Sequence, residues 1–492
     1  MKKIYIIPLF LITVSCSDFL EQNLVGQYST DTFYRTGPQA EIAITGVYNA
    51  ISFTSSGNAL WVFGDVVSDD AIKGGNATDQ NDISLLETFN YTQANEYLDK
   101  IWRQNYEAIN RANMLLYYMP RIDMDDARKA EITGEAEFIR AYCYFHLSNI
   151  FGSIPLRTEP LLSPEGSAKA KSSVDDIQNQ IEKDLTDALT GLKISPTHFG
   201  GVSQGAAYGL LAKLRLFRGQ WQSSLDAIDA LEKLGVYALR PLYTDSFRDS
   251  AQNNNEDIFE IQQLRLQNPS MASFLNQYFG APAYNGYFFN QPTQGFVNAF
   301  EMTADSVYDP RLHYTVRGLR DKYINGEDFD PRWSSTGYLN IKHEQPISEV
   351  PAGTVGESGL DYVYMRYAEV LLMKAEALNE LSRTAEALAP LNAVRKRARE
   401  SYLYDKHLED FGAVPTDLLP DVALGSQSQM RDAIRHERRV ELGFEFHRYF
   451  DLLRYGKVAA EDALQGTGFS YDKNRYFSIP ISELQTNLLI NQ

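Results

Sequence analysis

Through most of the stretch from residue 99 to 233 the sequence repeats one pattern: an apolar stripe at helical spacing, closed by a breaker, then begun again. Residues 99–119 place Ile101, Tyr106, Ile109, Met114 and Leu116 near helical spacing, and Pro120 ends it. Residues 125–152 repeat the pattern with an acidic first turn, which complements the positive end of a helix dipole. Further helices are predicted over 174–192 and 204–218, with a Pro/Gly/Ser-rich connector before them. A chain written this way buries one stripe of each helix against another helix, so a helical array is the architecture it admits most readily.

The segment "GAAYGLLAKLRLFRGQWQSSLDAIDALEKLG" sharpens that expectation. Small residues and leucines share one helix, Gly219 supplies a tight turn, and a second amphipathic helix follows, as in tetratricopeptide-type hairpins. "AEALNELSRTAEALAPLNAVRKRA", from Ala375, sets helix, turn and helix in the same order. From about 235 to 359 the helical period fades and Asn, Gly, Pro, Tyr and Phe crowd together, as in "NQYFGAPAYNGYFFNQPTQGF". Residues 52–92 form a second irregular stretch. Long irregular segments in a compact protein tend to carry function, and aromatic content this high argues against disorder. The expected fold class is mainly α: a tetratricopeptide-like helical repeat scaffold over 36–54, 93–234 and 360–456, with an irregular, loop-rich ligand-binding lobe over 235–359.

The N-terminus bears on location. Lys2 and Lys3 precede an apolar run over 4–14 that is too short to span a bilayer, and Ser15 stands just before Cys16. "TVSC" has the form of a lipoprotein cleavage site with Thr13 where leucine is usual, so residues 1–15 read as a lipoprotein signal peptide and Cys16 as the lipidated residue. An ordinary secretory signal with an incidental cysteine is the alternative. Acyl chains contribute about 0.8 kcal/mol per buried CH2, enough in combination to tether a globular body without a spanning helix. The only other cysteine, Cys143, sits in the apolar "RAYCYFHL" and reads as a small buried hydrophobe. The formal charge is −18, and removal of Lys2 and Lys3 with the leader takes it to −20, which argues against nucleic acid as a partner.

Catalytic chemistry finds little support. There is no Gly-x-Ser-x-Gly elbow and no P-loop ending on "GGNATDQ", and the seven histidines form no triad pattern. In "RHERRVELGFEFHRYFDLLRYGK", Glu437, Glu441 and Glu445 share a helical face near His436 and His447. His-Glu-x-x-His spacing is missing, so metal is not expected, and the surrounding arginines predict an ion-pair network made by i,i+3 and i,i+4 neighbours. A pair of carboxylates for glycoside hydrolysis, meeting only in space, stays open. Ligand recognition is better provided for. Trp333, Tyr284, Tyr287 and Phe288 offer flat faces in the irregular middle, and Asp69, Asp70 and Asn76 offer directional hydrogen bonds suited to a polyhydroxylated ligand. Asp69-Asp70 is also the obvious adjacent acid pair, and a loop N-cap or hydrogen-bonding role is the competing reading.

Five stretches in order carry a resemblance: "CSDFLEQ", "GEAEFIRAYCYFHLSNIFGSIPL", "YVYMRYAEVLLMKAEALNE", "RHERRVELGFEFHRYFDLLRYG" and "YFSIPISELQTNLLINQ". Together they resemble the SusD-like (RagB/SusD) outer-membrane lipoproteins. The resemblance runs from Cys16 to Gln492, and the family's usual acidic-Gly-Asp-Pro-Arg turn is replaced here by "VYDPR". It implies a lipid-tethered, surface-exposed glycan-binding protein that is not an enzyme and needs no cofactor. Helical repeats would support an irregular lobe, and the chain would sit on a SusC-like TonB-dependent transporter to which it passes oligosaccharides. Peptide capture, or a purely structural role beside the transporter, is the alternative, with a glycoside hydrolase behind both. Of the family's functional positions only Cys16 carries over residue by residue. Mass spectrometry of the mature protein is expected to find acyl chains on Cys16, and cell fractionation to recover the protein with the outer membrane; an unmodified N-terminus or a cytosolic protein would contradict the reading.

Overall fold

The computed structural model describes residues 33–54, 58–163, 166–267, 270–282, 285–318, 329–346, 349–350, 358–408 and 411–491. Cys16 and Tyr284 lie outside them. Among the described residues ten helices make the scaffold: α1 (Gly37–Ala50), α2 (Glu96–Tyr118), α3 (Asp126–Phe151), α4 (Val174–Ala188), α5 (Gln204–Phe217), α6 (Trp221–Lys233), α7 (Tyr367–Glu380), α8 (Thr384–Tyr404), α9 (Gln427–Leu442) and α10 (Arg448–Tyr455). They pack mainly as sequence neighbours, α2 on α3, α3 on α4, α5 on α6 and α7 on α8, while α6 also meets α7 across the intervening lobe. The mainly helical, tetratricopeptide-like scaffold expected from the sequence is the fold observed.

The helix starts have local causes. Asn95, Asp125, Ser173 and Ser203 each precede a helix and accept a backbone N–H from its first turn at 2.9–3.1 Å. Ser426 and Gln429 form a reciprocal capping box at the start of α9. Gly219, at φ +67°, makes the turn between α5 and α6. The two helices predicted downstream of Ala375 correspond to α7 and α8, separated by a turn in which Ser382 takes φ +61°. Cys143 is fully buried in α3.

Among the described residues three two-stranded antiparallel sheets lie between and beside the helices. Their strands are β1 (Ala71–Gly74), β2 (Asp257–Ile261), β3 (Phe289–Pro292), β4 (Val316–Arg317), β5 (Leu339–Asn340) and β6 (Tyr362–Arg366), paired β1–β3, β2–β6 and β4–β5. Every residue of β2 and β6 is buried. Phe259 of β2 meets Phe138 of α3 edge-on at 4.8 Å, so this ribbon is a core element of the scaffold. β6 runs directly into α7 at Arg366–Tyr367, which sets the register between ribbon and helix.

The acidic face of α9 is neutralised from a distance. Arg366 donates to Glu445 Oε2 at 2.9 Å, to Glu256 at 2.8 Å and to Glu441 Oε1 at 3.0 Å. Arg397 of α8 bonds Glu256 and Glu441, Arg311 bonds Glu437 at 2.6 Å and Glu441 at 3.0 Å, and Lys342 reaches Glu445 at 2.6 Å. The network expected there exists, but the expectation of i,i+3 and i,i+4 partners is corrected. The acids face inward, and the neighbouring arginines of the same segment point elsewhere: Arg438 to Asp451, Arg439 to Asp69 and Asp70, and Arg435 over the Tyr455 ring. Burial by itself would raise Glu441; Arg397, Arg366 and Arg311 outweigh it and bring the carboxyl down to about 2.

Replacing Glu441 with Gln leaves three buried guanidiniums short of a counter-charge and is expected to cost about 3–5 kcal/mol in chemical denaturation. A carboxyl lowered from the usual 4.5 contributes stability that is complete above that value and disappears as pH falls toward about 2. Thermal melts of the wild type should therefore decline through that window, and a melting temperature flat across it would contradict the electrostatic account.

Candidate functional site

Four of the seven predicted ligand residues converge where β1, β3 and the segment before β5 meet. β1 pairs with β3 in the register Ala71↔Pro292, Ile72↔Gln291 and Gly74↔Phe289. Gly75, at φ +65°, donates its N–H to the Phe288 carbonyl at 2.9 Å, and a Cβ there would lie 2.4 Å from the Phe289 ring. Only glycine lets the strands close in this way. The next residue, Asn76, is exposed. Its carbonyl accepts from the Asp79 N–H at 3.1 Å and from the buried Lys73 ammonium at 3.0 Å, so the turn carrying Asn76 is held from below.

Tyr287 and Phe288 end the loop that enters β3. The Tyr287 N–H donates to the Gln277 carbonyl at 2.7 Å and that of Phe288 to the Gly280 carbonyl at 3.1 Å, closing the loop on its own base. Phe288 takes φ +42°, uncommon for an aromatic residue, as the chain reverses into the strand. Tyr287 is 38% exposed. Its ring lies 6.1 Å from both Tyr278 and Phe289, and those rings contact the buried Trp61. An exposed face therefore rests on a rigid aromatic stack.

Trp333 closes a short 3-10 turn, Pro331–Trp333, whose start is capped by Asp330. Its ring meets Phe329 edge-on at 5.7 Å, and Trp333 and Phe288 pack against the same small apolar cluster of Ala281, Phe329 and Leu339. The buried Gln291 of β3 pins this segment: its side-chain oxygen accepts from Ser334 Oγ at 2.9 Å, Ser335 N at 3.0 Å and Ser335 Oγ at 2.8 Å. Four of the seven predicted ligand residues, Asn76, Tyr287, Phe288 and Trp333, thus belong to one loop cluster. Gln291, which organises it, and Tyr278, which backs it, carry no signal in the sequence beyond lying in the irregular middle.

Asp69 and Asp70 have another task. Arg448 grips Asp69 with two hydrogen bonds at 2.7 and 2.9 Å, and Arg439 bonds Asp70 at 2.7 Å and lies 3.0 Å from Asp69. Asp70 is 2% exposed. Burial raises the Asp70 carboxyl against the pull of Arg439, whereas for Asp69 the same burial is outweighed by Arg448 and the carboxyl is lowered. This pair joins the start of β1 to α9 and α10: both carboxylates are held by arginines distant in sequence and not by neighbours in their own loop. Among the described residues no group of three or more His, Cys, Asp or Glu is arranged to hold a metal.

Two family models match the chain: one described as the SusD family over residues 247–485, and one described as starch-binding, associating with outer membrane, over residues 43–216. SusD-like protein P2 of Formosa agariphila is 26% identical, over 97% of this chain and 96% of that protein. A solved laminarin-binding SusD-like protein is 27% identical with a TM-score of 0.77, covering 93% of this chain and 99% of its own. Surface glycan-binding protein A of Bacteroides thetaiotaomicron, solved in complex with laminarihexaose, superposes with a TM-score of 0.73 over 92% of this chain and 97% of its own; at 19% identity that likeness concerns the fold.

Replacing Gln291 with Leu removes the acceptor shared by Ser334 and Ser335. The stranded donors are worth about 1–3 kcal/mol, felt locally. Hydrogen–deuterium exchange is expected to quicken in peptides spanning 330–340 while the helical peptides keep their protection; equal exchange in both proteins would remove Gln291 from this role.

Proposed function

This chain belongs to the SusD family, and on that premise we propose that it captures oligosaccharides at the cell surface and delivers them to a SusC-like TonB-dependent transporter, without catalysing a reaction on them. The observation that carries the reading is the loop cluster of Tyr287, Phe288 and Trp333 beside Asn76, in a chain 27% identical to a laminarin-binding protein of the same family. Residues 1–15 act as the leader, and Cys16 of the single body over 16–492 carries the lipid. The description of one matching family model associates the family with the outer membrane, and among the described residues no helix is long and apolar enough to cross one.

The chemistry of the cluster suits a sugar. A pyranose has an apolar face of C–H groups and a rim of hydroxyls; an aromatic ring covers the first, and amide or hydroxyl side chains satisfy the second. Tyr287 offers an exposed face with a phenolic oxygen, Trp333 a broad ring, and Asn76 an exposed amide at the adjacent turn. Backing by Tyr278, Phe289 and Gln291 holds these groups in place before the ligand arrives, which lowers the entropic cost of binding. Each stacking contact contributes about 0.5–1.5 kcal/mol, so affinity is modest and release to a transporter stays easy. Asp69 and Asp70 support the site through Arg448 and Arg439 and do not touch the sugar.

Laminarin is the first glycan to test. In affinity electrophoresis Tyr287→Ala and Trp333→Ala are each expected to weaken retention about 2- to 10-fold with unchanged circular dichroism. Wild-type retention in both variants would remove the loop cluster from glycan binding, and retention of peptides in place of every glycan tried would favour the peptide reading.

A further inference from the structure

A second polar cavity lies outside the loop cluster. It encloses about 500 Å3 where the end of α3, the first turns of α4, the α5–α6 turn and α10 meet the segment around Tyr476, a volume within the range of small-ligand sites. The surrounding surface is laced with closed ion pairs. Arg218 bonds Glu182 at 3.2 Å, and Arg454 bonds Asp451 at 2.7 Å and also Glu376. Two charged groups on the cavity wall break that habit. Asp175 and Arg475, both exposed at its rim, do not pair with one another or, among the described residues, with any opposite charge. The Arg475 guanidinium lies instead over the rings of Tyr471 and Tyr476, at 5.5 and 5.1 Å.

The amides on the same wall are similarly unengaged. The side chains of Gln178 and Gln220 have no hydrogen-bond partner among the described residues, and Asn149 uses only its Nδ2, donated to the Phe145 carbonyl at 2.7 Å. Phe217 and Phe450 supply apolar surface. Tyr476 is seated firmly: its ring packs on Gly152, at φ +71°, where a Cβ would come within 2.9 Å of it, and the next residue donates its N–H to the Ile150 carbonyl at 2.8 Å. An anion entering the cavity meets Asp175, and a cation meets Arg475 with two arginines that are already paired. A neutral ligand rich in hydroxyls avoids both penalties, since each hydroxyl donates to Asp175 or Asn149 and accepts from Arg475 or a glutamine amide.

We propose that this cavity is a second glycan site, separate from the loop cluster, that takes a short neutral oligosaccharide between Asp175, Arg475 and the side chains of Gln178 and Gln220. The proposal rests on reading the protein as a glycan binder. The test is calorimetric titration of the full-length mature chain with laminarihexaose, comparing wild type, Asp175→Ala/Gln178→Ala, Tyr287→Ala/Trp333→Ala and the fourfold variant, each checked by circular dichroism. Two classes of site are expected in the wild type. The Asp175/Gln178 variant should lose one of them at least tenfold, the Tyr287/Trp333 variant should keep that one, and the fourfold variant should bind neither. An Asp175/Gln178 isotherm that coincides with wild type, while Tyr287/Trp333 abolishes binding, would overturn the second site and leave the loop cluster standing. Loss of binding only with Asp175/Gln178 would uphold the cavity and overturn the loop cluster. A wild-type protein with no heat of binding to laminarihexaose would overturn the cavity proposal for the probe it names.

Discussion

Arg366 occupies the junction on which the molecule is organised. It lies at the last position of β6, fully buried, and its guanidinium holds Glu256 at the foot of β2 together with Glu441 at the end of α9 and Glu445 in the turn after it. Arg397 from α8 and Arg311 from the irregular middle reach the same acids. Removing so many charges from water is costly, and only near-complete pairing and hydrogen bonding make it tolerable. The positions of β2, β6, α8, α9 and the 309–311 turn are consequently linked, since a shift in any one leaves a buried charge exposed to an apolar interior.

From that junction the architecture extends in two directions. Toward the helices, a second layer of buried charge, with Lys213 at 3.1 Å from Glu369 and Arg438 at 3.2 Å from Asp451, ties α5, α7, α9 and α10 together. Toward the loops, Arg439 and Arg448 leave the helical segments to hold Asp70 and Asp69 at the start of β1. The strand β1, which leads into the Asn76 turn and pairs with β3, is thus anchored to the scaffold by ion pairs at its base, while Gln291 anchors the Trp333 segment to β3. Loops built this way present aromatic faces in fixed positions, which lowers the entropic cost of engaging a ligand there.

The helical half was legible because its causes are local. Capping residues at 95, 125, 173 and 203 mark helix starts within a few residues of the predicted ones, and Gly219 marks the turn of the hairpin. The inward face of Glu437 and Glu441 could be read from their spacing, whereas Glu445, expected on the same helical face, lies past the end of α9 in the turn after Leu442. Their partners could not, because Arg311, Lys342, Arg366 and Arg397 are distant in sequence and the nearby arginines looked sufficient. The loop residues show the same division. Aromatic density drew attention to Tyr287, Phe288 and Trp333, whereas nothing in "FNQP" distinguishes Gln291 as the residue that orders them. Asp69 and Asp70, adjacent acids in an irregular stretch, looked like ligand groups until arginines some 370 positions away occupied them.

By itself the sequence determined the helical stripes, the turns between them and the places where regular structure fails, since each depends on residues within a turn or two of one another. Only the tertiary structure decided which charges meet, which loops share a surface and which polar groups stay unengaged. Those outcomes depend on contacts between segments hundreds of residues apart, where burial strengthens electrostatics and penalises any group left without a partner, and neither effect exists until the chain has folded.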